Sequence, residues 1–425
     1  MSIAKRAVRW IENLAPIAVF FSFFIGGVLL LLLAIGAHLD AFTVSGSVRV
    51  FGYVREINWG LNYILFIPIA LFFAAATINS IPSAIDGLSR SRMVISKVVV
   101  PEDRDTLLAS WHTYGSQAMI ITVCLSSMGI LVSAFQWFSV CLLPALSQSA
   151  GKLAPGWNIA WHATDPTATR WGCALFGILA YIMQAGVAVG FLTFATFVVV
   201  FAVWIFDHTK DSTETELYPD PRSDDRRRGF QNFESFIENL LLASIAFFFV
   251  FFMTRLDGLY VYSSSNSISS FIVQNVFLEG FSQALKQKGI GWLFDMGNTA
   301  DGSTTLVSAG FCLSAVLSFL VPIAIVRQTA RRSQQRFLNR LQDSADNIAV
   351  VYGMTVESAK KKTTDMVVWP IEYPQPQLLL VFIAFAAICF ACYRLTLTIV
   401  LMLILFIVRK GLSAMGLLKT TPQGE

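Results

Sequence analysis

Seven apolar runs, each long enough to cross a lipid bilayer, constrain the fold of this chain more than any other feature. They lie at residues 17–38, 61–80, 118–143, 172–206, 236–254, 304–326 and 378–408. A helix needs about 20 residues to cross a hydrocarbon core roughly 30 Å thick. The runs are apolar on all sides, so only lipid or other helices can cover them. The sequence therefore predicts an all-α fold: a single polytopic transmembrane bundle over residues 1–425, with seven or eight membrane segments and short helical extensions beside the membrane.

The composition excludes most soluble classes of protein. Hydrophobic residues make up 55% of the chain and charged residues 14%, against about 45–50% and about 25% in soluble domains. The net charge of +4 is too small to indicate nucleic acid, and no aromatic and basic residues alternate as they do in nucleic-acid-binding surfaces. The predicted environment is the lipid bilayer, with no nucleic acid as a partner.

The distribution of Lys and Arg predicts the orientation in the membrane. Residues 1–16 and the connections 81–117, 207–235 and 327–377 together carry 20 Lys and Arg, whereas the connections 39–60, 144–171 and 255–303 carry 7. Because positive connections stay in the cytoplasm, we expect a cytoplasmic N-terminus and cytoplasmic loops at 81–117, 207–235 and 327–377. Short loops and an apolar first run too long for a signal peptide suit a bacterial inner membrane.

Two apolar runs have ambiguous lengths. Residues 172–206 would extend about 52 Å as one helix, but a hairpin there would move every later basic loop to the opposite side, so we predict one long helix. Residues 378–408 are divided by Arg394. They form either one tilted span or a hairpin, and the basic residues after them favour the hairpin.

Arg394 is also the first of the polar residues that the sequence places at membrane depth. A charge there costs about 2.5–3.5 kcal/mol on insertion scales, so Arg394 either has a function inside the bundle or reaches the outer surface at a hairpin turn. Glu238, four residues after Glu234 in the run 236–254, is its expected carboxylate partner. Both carboxylates could equally sit at the membrane surface, where a helix N-terminus favours negative charge.

Small and amide-bearing residues mark expected helix contacts. Gly186 and Gly190 have the spacing that lets two helices approach closely, and we expect that contact to lie within the chain rather than between copies. Gln184 and Gln136 are polar groups that can form hydrogen bonds between helices.

Clusters of arginine flank the membrane segments on the predicted cytoplasmic side. They serve first as topology determinants and second as contacts for anionic lipid, at about 1 kcal/mol per residue, or for a partner protein. These residues are Arg226, Arg227, Arg228, Arg331, Arg332, Arg336 and Arg340. The stretch 211–225, rich in acids, Ser, Thr and Pro, predicts a loose segment just before the first of these arginines.

No motif for catalysis, nucleotide binding or metal binding stands out. The four His lack partners at metal-binding spacing, and all six Cys lie inside apolar runs, so we expect no cofactor and no metal. The first hypothesis is a non-enzymatic oligomeric scaffold, sensor or channel-like component whose loop 327–377 binds a partner. Such a protein would assemble with copies of itself or with another membrane subunit. The alternatives are a solute transporter or permease subunit, and a membrane enzyme that uses Asp207, His208 or His112.

Overall fold

The described part of the chain is almost entirely helical. The computed structural model describes residues 3–36, 43–45, 48–50, 60, 62–96, 101–137, 170–209, 215–223, 226–253, 300–343 and 352–367. The α-helices in these ranges are α1 (Ile3–Glu12), α2 (Pro16–Gly36), α3 (Ile67–Arg90), α4 (Arg104–Trp137), α5 (Arg170–Asp207), α6 (Glu234–Met253), α7 (Ala300–Asp343) and α8 (Val356–Thr364). A π-helical turn, Asn62–Phe66, leads into α3, and a 3-10 helix, Phe230–Phe233, leads into α6. The prediction of an all-α fold is confirmed.

Two small antiparallel sheets accompany the helices. One pairs β1 (Thr43–Ser45) with β2 (Val48–Val50), and the other pairs β3 (Val94–Ser96) with β4 (Thr215–Leu217). The second sheet corrects the prediction that residues 211–225 are loose. Residues 215–223 are folded, because pairing with β3 satisfies the backbone and Leu217 and Tyr218 are buried.

Five helical segments in the described ranges are long and apolar enough to cross a membrane. They are Pro16–Leu33, Asn62–Arg90, Arg104–Leu131, Ile178–Asp207 and Phe230–Phe251. The chain is an integral membrane protein. The predicted run 304–326 lies within α7, which is not among these five, and the run 378–408 lies outside the described residues. The total of seven or eight segments therefore stays a prediction.

The centre of the bundle is formed by α3, α5 and α6, and their Phe residues fill it. Helix α3 packs against α6 and α2, and α5 packs against α4 and α7. Phe191 of α5 meets Phe247 of α6 edge to face, with ring centroids 5.0 Å apart. Trp111 of α4 is fully buried against Phe197 and Phe201. Aromatic rings at helical spacing thus fill the interior between these helices.

The outer surface of the bundle is apolar along α2 and α4. These two helices lie at the periphery and expose large apolar side chains, among them Phe21, Leu32, Met128 and Leu131. A soluble protein rarely exposes such continuous apolar surface. In a bilayer these side chains face lipid.

All four segments that were predicted to be cytoplasmic meet at one end of the bundle. Strand β3 belongs to the connection 81–117 and β4 to the connection 207–235, and they pair directly. Helix α8, from the connection 327–377, contacts α7 at the same end. Helix α1 packs against the first turns of α4. Residues 170–207 form one uninterrupted helix of 38 residues, so the chain crosses from one end to the other there.

Candidate functional site at the charged end of the bundle

The connections at this end form a small folded unit, which we call the cap. It comprises residues 91–96, 215–223, 226–230, 333–343 and 352–367. Its sheet lies between two hydrophobic cores, because alternate residues of a strand point to opposite faces. Val94 and its partner Leu217 pack into the bundle core, whereas Ile95 packs into a separate core within the cap.

Aromatic rings dominate the cap core. Phe337 is fully buried, and its ring centroid lies 5.7 Å from that of Tyr218 and 5.8 Å from that of Tyr352. Leu341 and Ala359 complete the core. The hydroxyl of Tyr352 donates to the carbonyl of Arg92 at 3.2 Å. Residues from all three connections are thus held together by apolar contacts and by long-range hydrogen bonds such as this one.

A network of charged side chains crosses the cap surface next to these rings. Glu216 accepts a hydrogen bond from the Tyr218 hydroxyl and another from Arg340 at 3.4 Å. Burial, and then the bond to Glu216, raises the pKa of Tyr218 well above its usual range, so this hydroxyl stays a donor. Arg222 pairs with Asp220 at 3.0 Å and lies 5.5 Å above the Tyr352 ring.

The arginine run 226–228 joins the cap to the bundle. Arg228 is buried with φ +50° and donates from Nε to the carbonyl of Lys362 at 3.0 Å and from Nη1 to the carbonyl of Ser223. The next residue, Gly229, has φ +92°, a conformation that glycine adopts without strain. Arg227 pairs with Glu234 at 3.3 Å.

The arginines that the sequence grouped together therefore have different environments. Arg227, Arg228 and Arg340 bond to groups of the chain itself, and Arg336 is partly buried. Arg226, Arg331 and Arg332 are exposed, although the guanidinium of Arg332 stacks 4.6 Å from the ring of Phe206. The exposed cations are the ones available to an external ligand.

A second polar cluster lies where α1 meets the bundle. The buried carboxylate of Glu12 accepts from the indole of Trp111 and bonds to Nε2 of His112 at 3.1 Å. Sequence reasoning missed this role of Glu12, whose only signal was an acidic residue shortly before the first apolar run. The pair attaches α1 to α4.

Two further groups from the enzyme hypothesis have partners nearby. Asp207 accepts from Tyr114 at 2.8 Å, and Nδ1 of His208 lies 2.8 Å from the carbonyl of Trp204. Asp207, His208 and His112 thus have three different hydrogen-bond partners, which are Tyr114, the carbonyl of Trp204 and Glu12.

Several polar side chains lie at membrane depth, and two of them form hydrogen bonds to other parts of the bundle. Gln184 donates to the hydroxyl of Tyr63 at 2.8 Å. Asn62, only 1% exposed, donates to the carbonyl of Val250 at 3.2 Å, while its Oδ1 has no hydrogen-bond partner among the described residues. Both Asn62 and Tyr63 lie in the π-helical turn, a feature that often marks functional sites. Sequence reasoning did not identify either residue.

The remaining residues that the sequence singled out lie in helix contacts, on helix turns or outside the described residues. A Cβ at Gly186 would lie 2.8 Å from the ring of Phe23, and one at Gly190 would collide with Leu71, so both contacts are within the chain. Glu238 is exposed on the second turn of α6. Gln136 lies in the last turn of α4, and Arg394 lies outside the described residues.

The described side chains offer no group of three His, Cys, Asp or Glu that could hold a metal ion.

Comparison with known proteins identifies the family of this chain. The pattern of the RcgA-like family matches residues 1–354, which is most of the chain. The chain belongs to the RcgA-like family. No curated protein and no solved structure matches it. The family match covers the bundle and most of the cap, but it ends before α8.

Proposed function

We propose that this RcgA-like protein is a non-enzymatic membrane scaffold that binds an acidic partner protein through the exposed cations of its cap. The observation that carries the proposal is the separate hydrophobic core of the cap. Three connections that need only link helices instead bury aromatic rings to form a defined surface. Connecting segments that a rigid scaffold holds in a fixed shape carry a disproportionate share of binding residues.

The charges of the cap indicate the chemistry of the partner. Two acids of the cap, Glu216 and Asp220, are buried and paired with arginines. The exposed charges are mainly positive: the acids Glu357 and Asp365 are outnumbered by Arg92, Arg226, Lys360 and Lys361. Electrostatic complementarity with an acidic surface would give fast, salt-dependent association. Loop 327–377 thus contributes to a composite surface and does not act alone.

The orientation and the assembly are part of the same proposal. The cap carries the predicted cytoplasmic segments, so we place it and the N-terminus in the cytoplasm of a bacterial inner membrane. The exposed apolar side of α4 provides a surface for a second copy or another membrane subunit. We further propose that the chain is not an enzyme, since His112 and His208 bond to structural partners.

Affinity capture from native membranes tests the scaffold. The variant carries Lys360→Glu and Lys361→Glu, and the matched control carries Arg6→Glu and Arg9→Glu, which are exposed on α1 at the same end. We expect one partner to be recovered with the wild type and the control, in a salt-dependent manner, and at least tenfold less with the cap variant. Equal recovery with both variants, or no specific partner with any form, would refute the proposal.

A second candidate function is a solute transporter, favoured by the buried Oδ1 of Asn62 beside Tyr63 and Gln184. An unpaired polar atom inside a membrane protein costs free energy, which a bound solute could recover. Proteoliposomes loaded with labelled amino acids, sugars and inorganic ions would test this. Transport that falls with Asn62→Leu at equal incorporation supports the transporter, and absence of any flux in the wild type contradicts it.

A further inference from the structure

Arg327 has an environment that differs from that of every arginine discussed above. Arg327 is 6% exposed, and its side chain forms no hydrogen bond or ion pair with another described residue. Burial, and then the charge of Arg331, lowers the pKa of Arg327. Both effects oppose its charge, yet a guanidinium remains protonated in proteins. A buried charge of this kind needs a counter-ion.

The position of Arg327 along α7 indicates where that counter-ion comes from. One outward face of α7 runs through Leu317, Val321, Gln328 and Arg331, all of which are exposed. This face changes from apolar to polar between Val321 and Gln328, so the boundary between hydrocarbon and headgroups lies there. Arg327 and Arg331 are one helical turn apart, at the edge of the face and at the level of that boundary.

We infer that Arg327 and Arg331 bind the phosphate of an anionic phospholipid whose acyl chains lie along the apolar face of α7. Two guanidinium groups one turn apart provide the planar donors that phosphate oxygens accept. Basic sites between membrane helices at the headgroup level bind anionic lipids in this way. Leu317 and Val321 continue the site toward the membrane centre, and that apolar continuation favours a lipid over a free anion. The site is separate from the partner surface of the cap.

The experiment measures lipid retained by the full-length protein. Protein purified in detergent is mixed with phosphatidylglycerol or phosphatidylcholine and analysed by native mass spectrometry, with and without excess inorganic phosphate. Arg327→Gln and Arg331→Gln remove one charge each, and Arg6→Gln, at an exposed position of α1, removes the same charge on a helix outside the proposed site. Arg331 is exposed, so its replacement tests the site even if Arg327→Gln impairs folding.

We expect the wild type and Arg6→Gln to retain phosphatidylglycerol in preference to phosphatidylcholine. Arg331→Gln should weaken that retention about fivefold, the equivalent of about 1 kcal/mol, and Arg327→Gln more strongly because its charge is buried. Inorganic phosphate should not displace the lipid. Unchanged retention in Arg331→Gln, equal retention of the two lipids, or displacement by inorganic phosphate alone would overturn the inference.

Discussion

Replacing Phe337 by Ala should open the cap while the bundle stays folded. Phe337 is fully buried and belongs to the cap core alone. Truncation of a buried Phe costs about 3–5 kcal/mol. Part of that cost is the loss of its two edge-to-face contacts with Tyr218 and Tyr352, worth about 0.5–1.5 kcal/mol each. A loss of about 3 kcal/mol raises the population of the open cap by more than a hundredfold.

Limited trypsin digestion measures this opening. Lys360, Lys361 and Lys362 lie within α8, so cleavage after them requires the helix to unfold locally. When opening and closing are fast compared with cleavage, the cleavage rate follows the population of the open form. We expect Phe337→Ala to raise that rate at least tenfold while thermal unfolding of the bundle remains nearly unchanged.

The matched control is Leu317→Ala, on the same helix but 43% exposed on the outer face of the bundle. Its cleavage rate at the three lysines should stay close to that of the wild type. A rate for Phe337→Ala within twofold of the wild-type rate would refute the idea that the cap has a core of its own. Simultaneous loss of the bundle would show that the two cores unfold as one.

Three further results are expected. Gly27→Ala should destabilise the bundle by about 1–3 kcal/mol, because the new Cβ would lie 2.5 Å from a backbone carbonyl of the π-helical turn. The control Gly129→Ala, which has open space around the new Cβ, should not lower the midpoint of thermal unfolding. An equal loss of stability in both variants would contradict this. Burial, and then the charge of Asp220, raises the pKa of Tyr352. The contribution of its neutral hydroxyl to stability is therefore complete below about pH 10 and is lost as the pH rises above that value. The difference in phenolate absorbance between the wild type and Tyr352→Phe should show an ionisation above the ordinary pKa range of tyrosine, and an ionisation within that range would contradict this. A double-mutant cycle of Arg340→Gln and Glu216→Gln should give a coupling below about 1 kcal/mol, since the Arg340 side chain is 41% exposed and solvent screens its charge. A coupling above about 2 kcal/mol in chemical denaturation would be inconsistent with that screening.

The helical part of this structure could be predicted because its signal is local. A run such as 172–206 carries its apolar character residue by residue, and the structure has one helix there. The spacing of Gly186 and Gly190 likewise indicated a close approach. Their partners, Phe23 and Leu71, belong to helices far away in the sequence, and periodicity holds no information about them.

The cap could not be predicted because its stability comes from contacts between distant connections. Strands β3 and β4 have three residues each, too few to show an alternating pattern. Arg340 and Glu216 are 124 positions apart. The burial of Arg327 could not be predicted either, because the sequence shows only a charge that follows an apolar run.

Because the cap is assembled from three connections, it can close only after the last of them has been synthesised. Arg228 and Tyr218 emerge from the ribosome before Lys362 and Tyr352, which complete their contacts, and α7 must first pack against the bundle. Until then Ile95 and Tyr218 present uncovered apolar surface to the surrounding water. A closed cap therefore forms only when the preceding helices are in place. A stalled or wrongly inserted chain would expose this apolar surface to proteases and chaperones.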